Sequence, residues 1–204
     1  YVKHCDISLT KHVCLYEKRV IEIIKKSNRF RSELLLNAKE SFTNTRDAYQ
    51  QIKQRLFSHQ NNNSTNNIEY KRHLKLINNL LNKIHTKFLN LKPYSPLVFS
   101  HADTGIHNSI ADEYSQILLV DLEYSGLDSP IKEHIDYLIH PRNAYYSNDR
   151  TYWSEYFLEE QIINSDKLNL NIYNCFFALK WSLIVLNEFL PGNWEFRIAA
   201  EPAR

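Results

Sequence analysis

Apolar positions recur at helical spacing from Thr10 onward, where Val13, Tyr16, Val20, Ile23 and Ile24 fall on one side of a helix. A second helical stretch is expected around residues 32–39, and both should be amphipathic and packed at the surface. Thr43, Asn44 and Thr45 offer N-cap side chains to a third helix through Tyr49, Ile52 and Leu56, which should end before the asparagine-rich loop at 59–67. The strongest periodicity spans about residues 71–89, where Leu74, Ile77, Leu80, Leu81, Ile84 and Phe88 form one face and Lys, Asn and His the other. Pro93 and Pro96 stop helix formation, and Leu97-Val98-Phe99 reads as a short buried strand. A second such run, 117–120, ends at Asp121. Pro130 opens a helix through Ile131, Ile135, Leu138 and Ile139 that Pro141 closes. Two more helices are expected near 153–163 and 173–190. The pattern predicts a mainly α chain with one small β element.

A chain of 204 residues with 43% apolar side chains can fill one sizeable core or one lobe of a larger fold, so residues 1–204 are read as a single unit. The 25 basic and 23 acidic side chains are interspersed, which argues against nucleic acid as a partner. Cys5, Cys14 and Cys175 are odd in number and far apart, a usage that fits a reducing cytoplasm better than a disulfide framework or a zinc site. The longest apolar run, 175–190, contains Lys180, Asn187 and Glu188, too polar and too short for a bilayer span, and reads as a buried helix. The Asn62-Asn63-Ser64 triplet matches a glycosylation acceptor but is expected to be a plain loop in a cytoplasmic chain. There is no methionine, position 1 included, so the chain is expected to be a fragment, a processed product, or a sequence from which some residues have been lost. With only Gly105, Gly126 and Gly192, no glycine-rich phosphate cradle is present.

Chemistry concentrates between the two strand-like runs. Residues 99–108 read F-S-H-A-D-T-G-I-H-N, which sets His101, Asp103 and Asn108 at the H-x-D-x-x-x-x-N spacing of kinase catalytic loops. That loop needs a carboxylate to orient the attacking hydroxyl and accept its proton, and an amide oxygen for a magnesium ion that bridges nucleotide phosphates. A second carboxylate should project from a neighbouring strand end. Asp121 stands there, 13 residues past Asn108, and Glu123 can assist from the same side.

The segments S-H-A-D-T-G-I-H-N-S-I (100–110) and I-L-L-V-D-L-E-Y-S-G-L-D-S-P (117–130) resemble the aminoglycoside phosphotransferase and choline kinase superfamily. Its usual form is H-G-D-x-x-x-x-N, then an apolar strand ending in Asp, an aromatic or apolar residue with Glu, and a later Asp-x-Pro. The similarity continues through Asp136 and His140-Pro141, while N-A-K-E-S-F (37–42) and K-W-S-L-I-V-L-N-E-F (180–189) resemble a little-described bacterial branch.

The resemblance implies the C-terminal lobe of a protein-kinase-like fold and an ATP- and Mg²⁺-dependent transfer of a γ-phosphoryl group to a hydroxyl of a small acceptor of aminoglycoside, amino alcohol or sugar type. It implies Asp103 as catalytic base, Asn108 and Asp121 as magnesium ligands, His101 as a support of the loop, and Asp136 as an anchor of the loop backbone. No counterpart of the nucleotide-covering N-terminal lobe precedes the helices of residues 10–90, so the chain is expected to start near the interlobe hinge and, alone, to bind nucleotide poorly. Protein kinases fit less well, because Leu122-Glu123 follow Asp121 where those enzymes carry Phe-Gly.

Two further readings stand beside this one: a non-catalytic kinase-like scaffold, and a helical interaction domain carrying the motif by accident. His107 is read as a substrate contact or a loop-stabilising group. Tyr145, Tyr146, Trp153, Tyr156 and Trp194 are read as core aromatics before acceptor-pocket walls. His101, His134 and His140 fit no common zinc spacing and are given structural roles. No membrane partner is expected, and neither the acceptor nor the oligomeric state is legible.

Overall fold

Helices supply most of the ordered chain, and the computed structural model describes residues 9–29, 36–62, 67–92, 97–143, 151–159, 167–193 and 195. The first helix, α1 (Leu9–Arg29), buries Val13, Tyr16, Val20, Ile21 and Ile24. Helix α2 (Thr45–Gln60) takes Asn44 as its N-cap, whose side chain accepts from Asp47 N at 2.7 Å. Such a cap is worth about 1 kcal/mol. Asn67 does the same for α3 (Ile68–Leu89), accepting from Tyr70 N at 3.0 Å. The α3 face expected from periodicity is buried at Leu74, Ile77, Leu81 and Phe88, with Leu80 at its exposed margin.

The four strands are three residues each: β1 (Val98–Ser100), β2 (Ser109–Ala111), β3 (Ile117–Leu119) and β4 (Gly126–Asp128). β1 pairs antiparallel with β4, Ser100 opposite Gly126, and β2 pairs antiparallel with β3, Ser109 opposite Leu119. The sequence reading gave β1 and β3 but not their partners, which are too short and too polar to stand out.

The helix expected at 32–39 is corrected where it can be seen. Residues 36–38 run extended beside β4, with Leu127 N donating to Leu36 O and Ala38 N to Leu127 O, both at 2.9 Å. Gly126 allows this approach, since a Cβ there would collide with the backbone of residues 36–38. Asp128 then ties the segment to the next helix: its Oδ1 accepts from Phe42 N (2.6 Å) and Ser129 N (2.7 Å), and its Oδ2 from Lys132 Nζ (2.5 Å).

Helix α4 (Pro130–Ile139) starts on its proline and is buried from Pro130 to Tyr137, including Lys132, Glu133, His134 and Asp136. Its polar residues therefore face the interior, which an amphipathic reading does not anticipate. Helix α5 (Thr151–Glu159) buries Trp153, Tyr156 and Phe157. These first two aromatics are core residues. Tyr145, Tyr146 and Trp194 lie outside the described residues, as do Pro93 and Pro96.

Helix α6 (Lys167–Val185) continues into a 3-10 turn, Leu186–Phe189. It is buried on one side only: Tyr173, Phe176, Phe177 and Leu183 are enclosed, while Cys175 and Val185 are exposed. The buried helix expected at 175–190 is thus buried along one side, at Phe176, Phe177, Leu179 and Leu183. Phe88 stacks on Phe176 with centroids 3.6 Å apart, and Phe42 meets Phe177 edge-on at 5.5 Å, so α3, α6 and the segment before α2 share one aromatic core. No helix among the described residues is long and apolar enough to cross a membrane.

Candidate active site

The loop between β1 and β2 carries Asp103, and it is held from three sides. Ser100, the last residue of β1, donates its hydroxyl to the buried Glu133 carboxyl and accepts from Ala102 N at 2.9 Å. Ala102 has φ 66°, a left-handed conformation that costs an alanine about 1–2 kcal/mol. It occupies the position where the resembled superfamily has glycine. The His101 ring spans the loop and β3, its Nδ1 directed at Asp103 O (2.7 Å) and its Nε2 at Val120 O (2.8 Å). Val120 N in turn donates to Asn108 O at 2.9 Å.

Asn143, in the turn after α4, completes the clamp. Its Oδ1 accepts from Ile106 N, and its Nδ2 donates to Thr104 O and Tyr137 O, all at 2.9 Å. The sequence reading gave the anchoring role to Asp136, and the structure corrects it. Asp136 is buried facing α6, where it accepts from Trp181 Nε1 (2.8 Å) and Lys180 Nζ (3.3 Å), with Lys132 Nζ at 3.4 Å. Its charge neutralises two buried lysines instead of touching the loop. No signal short of the three-dimensional pairing points to Asn143 or Glu133.

The carboxylate of Asp103 is 37% exposed, and its Oδ1 accepts from His140 Nε2 at 2.9 Å. His140 Nδ1 accepts from Arg142 N at 3.1 Å, which leaves the ring proton on Nε2. Burial pushes the Asp103 carboxyl up, but His140 and the Asn108 amide outweigh it and hold it below the ordinary range. Trp181 packs edge-on against His140 with centroids 4.6 Å apart. An unbroken stack therefore runs from Asp136 through Trp181 and His140 to Asp103.

Asn108 is buried in the 3-10 turn Ile106–Asn108, and its Nδ2 donates to Asp103 O at 3.1 Å. No described residue donates to its amide oxygen. Asp121 follows β3 with φ 60°, exposed, and no donor among the described residues reaches its carboxylate. Glu123 is exposed on the 3-10 turn Leu122–Tyr124. His107, exposed beside His140 at a centroid distance of 5.3 Å, lies within the fields of both Asp103 and Asp121. A depression of about 370 Å³ between α2 and the end of α6 is lined by none of these residues.

Searched by sequence, the chain matches no protein-family model and no curated protein. Among solved structures, choline kinase LicA from Streptococcus pneumoniae superposes on 91% of this chain with a TM-score of 0.56 and 16% sequence identity. The fold is that of a choline kinase. It is the mainly α, C-terminal lobe of the protein-kinase-like architecture, with a small β element around residues 98–128. The chain spans 60% of that choline kinase's length. The likeness is therefore one of a small-molecule kinase fold, and the choline-kinase-like lobe is the frame on which the residues above are set.

Proposed function

We propose that the protein is an ATP- and Mg²⁺-dependent phosphotransferase that moves the γ-phosphoryl group to a hydroxyl of a small molecule of the aminoglycoside, amino alcohol or sugar type. The observation that carries the reading is the lacing of the β1–β2 loop to the end of β3. His101 and Asn108 both bond to Val120, the residue before Asp121, and both also bond to the Asp103 carbonyl. One half-exposed carboxylate held by a histidine, one amide oxygen and one exposed carboxylate thus come from a single bonded unit. The choline-kinase fold adds weight to the amino alcohol class of acceptor.

The two metal-ligand candidates offer oxygen atoms without described protein donors, the hard, oxygen-only set that suits Mg²⁺. Asn108 and Asp121 would hold the ion, which would supply positive charge to offset the charge developing on the transferred phosphoryl group. Asp103 accepts the hydrogen bond of the acceptor hydroxyl on the part of its carboxylate that reaches the surface. His140 keeps that carboxylate from rotating. A base held below the ordinary carboxylate range suits a loose phosphoryl-transfer transition state, in which the nucleophile loses its proton late and orientation matters more than basicity. The acceptor oxygen forms its bond to phosphorus as the bond to the leaving nucleotide breaks, and the proton passes to Asp103.

Incubating the whole protein with γ-labelled ATP, Mg²⁺ and a panel of amino alcohols, sugars and aminoglycosides tests the reading. Label is expected on an acceptor with the wild type and at about 10²–10⁴-fold lower rate with Asp103→Asn. Equal rates would overturn it.

A further inference from the structure

We infer that Asp103, His107 and His140 form a second cation site, distinct in chemistry from the oxygen-only Asn108 and Asp121 pair, that takes a borderline transition metal of the Zn²⁺ class. Each residue offers one ligand atom, and the three atoms lie within 4.8 Å of one another. Zinc bonds of about 2.0–2.2 Å place tetrahedral ligands roughly 3.3–3.6 Å apart. His140 Nε2 and Asp103 Oδ1 are already 2.9 Å apart. To reach that spacing the pair opens by roughly half an ångström and His107, whose ring is exposed, closes in by about an ångström.

A second feature of the backbone serves this convergence. Gly105 has φ −77°, which any residue adopts, so it is not required by backbone conformation. A Cβ at that position would overlap the His107 ring and press on His140 Cε1. The missing side chain is what allows two imidazoles to stand beside one carboxylate. Sequence spacing does not reveal the group, because His140 is 37 residues from Asp103.

Ligand type decides the cation. Two imidazole nitrogens and one carboxylate oxygen match Zn²⁺, Co²⁺ or Ni²⁺ and are poor ligands for Mg²⁺. Three protein ligands leave a fourth position for water. Ligation through Nε2 moves the single ring proton of His140 from Nε2, where it is shared with Asp103, to Nδ1. The contact from Arg142 N is then exchanged for water at an exposed turn. A histidine ligand without an acceptor behind it lowers affinity by about 10–100-fold relative to a fully supported site. The site is therefore one of moderate affinity, filled and emptied with metal supply. Occupancy takes up the Asp103 carboxylate, so on the phosphotransferase reading the bound metal is an inhibitor.

Metal binding itself needs no turnover, which separates this inference from the reading of function. Co²⁺ is titrated into the protein in excess Mg²⁺ and followed by its visible absorption. One ion per chain is expected, with the intense bands of low coordination, displaced by Zn²⁺ and not by Mg²⁺. His107→Ala and Gly105→Ala should each weaken binding at least about tenfold. His107 is exposed, so its variant tests the site without endangering the fold. Unchanged affinity in His107→Ala, displacement by Mg²⁺, or no saturable binding would each overturn the site. Zinc inhibition that persists in His107→Ala would overturn its link to turnover.

Discussion

His140 Nε2 donates to Asp103 Oδ1 at 2.9 Å, and the amide of Arg142 on Nδ1 dictates which nitrogen carries the proton. This bond is the largest influence holding the Asp103 carboxyl below its ordinary range against burial. His140→Ala should release the carboxylate, raise its pKa and move the acid limb of the pH–rate profile to higher pH. A turnover loss of roughly tenfold or more is expected from the lost orientation. An unmoved acid limb would show that His140 does not act through Asp103.

Glu133 should make the fold sensitive to alkali. Burial raises its carboxyl to about 8, against the partly offsetting Ser100 hydroxyl and Lys132 charge, with Asp128 and Asp136 adding to the rise. A carboxyl raised in the folded state contributes fully below its unfolded value near 4.5 and loses that contribution as pH climbs toward 8. The difference corresponds to a loss of roughly 4–5 kcal/mol at most. Glu133→Gln keeps an acceptor for Ser100 and removes the titration. Thermal unfolding at pH 5.5 and 8.5 should show a wild type that weakens with pH and a variant that is flatter and more stable at pH 8.5.

Asn143→Ala strands Ile106 N, Thr104 O and Tyr137 O without their shared partner. A loss of about 2–4 kcal/mol is expected by denaturant unfolding, because each buried group keeps its desolvation cost. Asp136→Asn should weaken the α4–α6 contact through Lys132 and Lys180 instead, without loosening the loop. Proteolysis or hydrogen exchange at residues 101–108 distinguishes the two.

Ala102→Gly relieves a left-handed alanine at φ 66°. The strain is about 1–2 kcal/mol and the extra chain entropy of glycine about 0.5–1 kcal/mol, so a net gain of roughly 0.5–1 kcal/mol is expected in the denaturant midpoint. A destabilised variant would mean that the Ala102 methyl contributes packing that outweighs the strain.

What the chain reveals before folding is what lies close along it. The helices at 9–29, 45–60 and 68–89 announce themselves through apolar spacing, and the loop through the short intervals among His101, Asp103 and Asn108. The bonds that Asn143, Glu133 and His140 make to the loop were not legible, because each acts on residues more than thirty positions away. Residues 36–38 failed as a predicted helix for the same reason: their conformation is set by pairing with Leu127, not by their own pattern. The helix at α4 was legible but the burial of its polar residues was not, since Lys132 and Asp136 are paired with each other and with Asp128 and Lys180 instead of with water.

The central claim is that Asp103 receives the proton of an acceptor hydroxyl in phosphoryl transfer. Its most direct test is the rate of γ-phosphoryl transfer by the whole protein, wild type against Asp103→Asn, at equal folded concentration and saturating Mg²⁺. The account predicts a fall of about 10²–10⁴-fold with nucleotide affinity retained. Wild-type turnover in the variant, or no transfer by the wild type to any small-molecule alcohol, would contradict it.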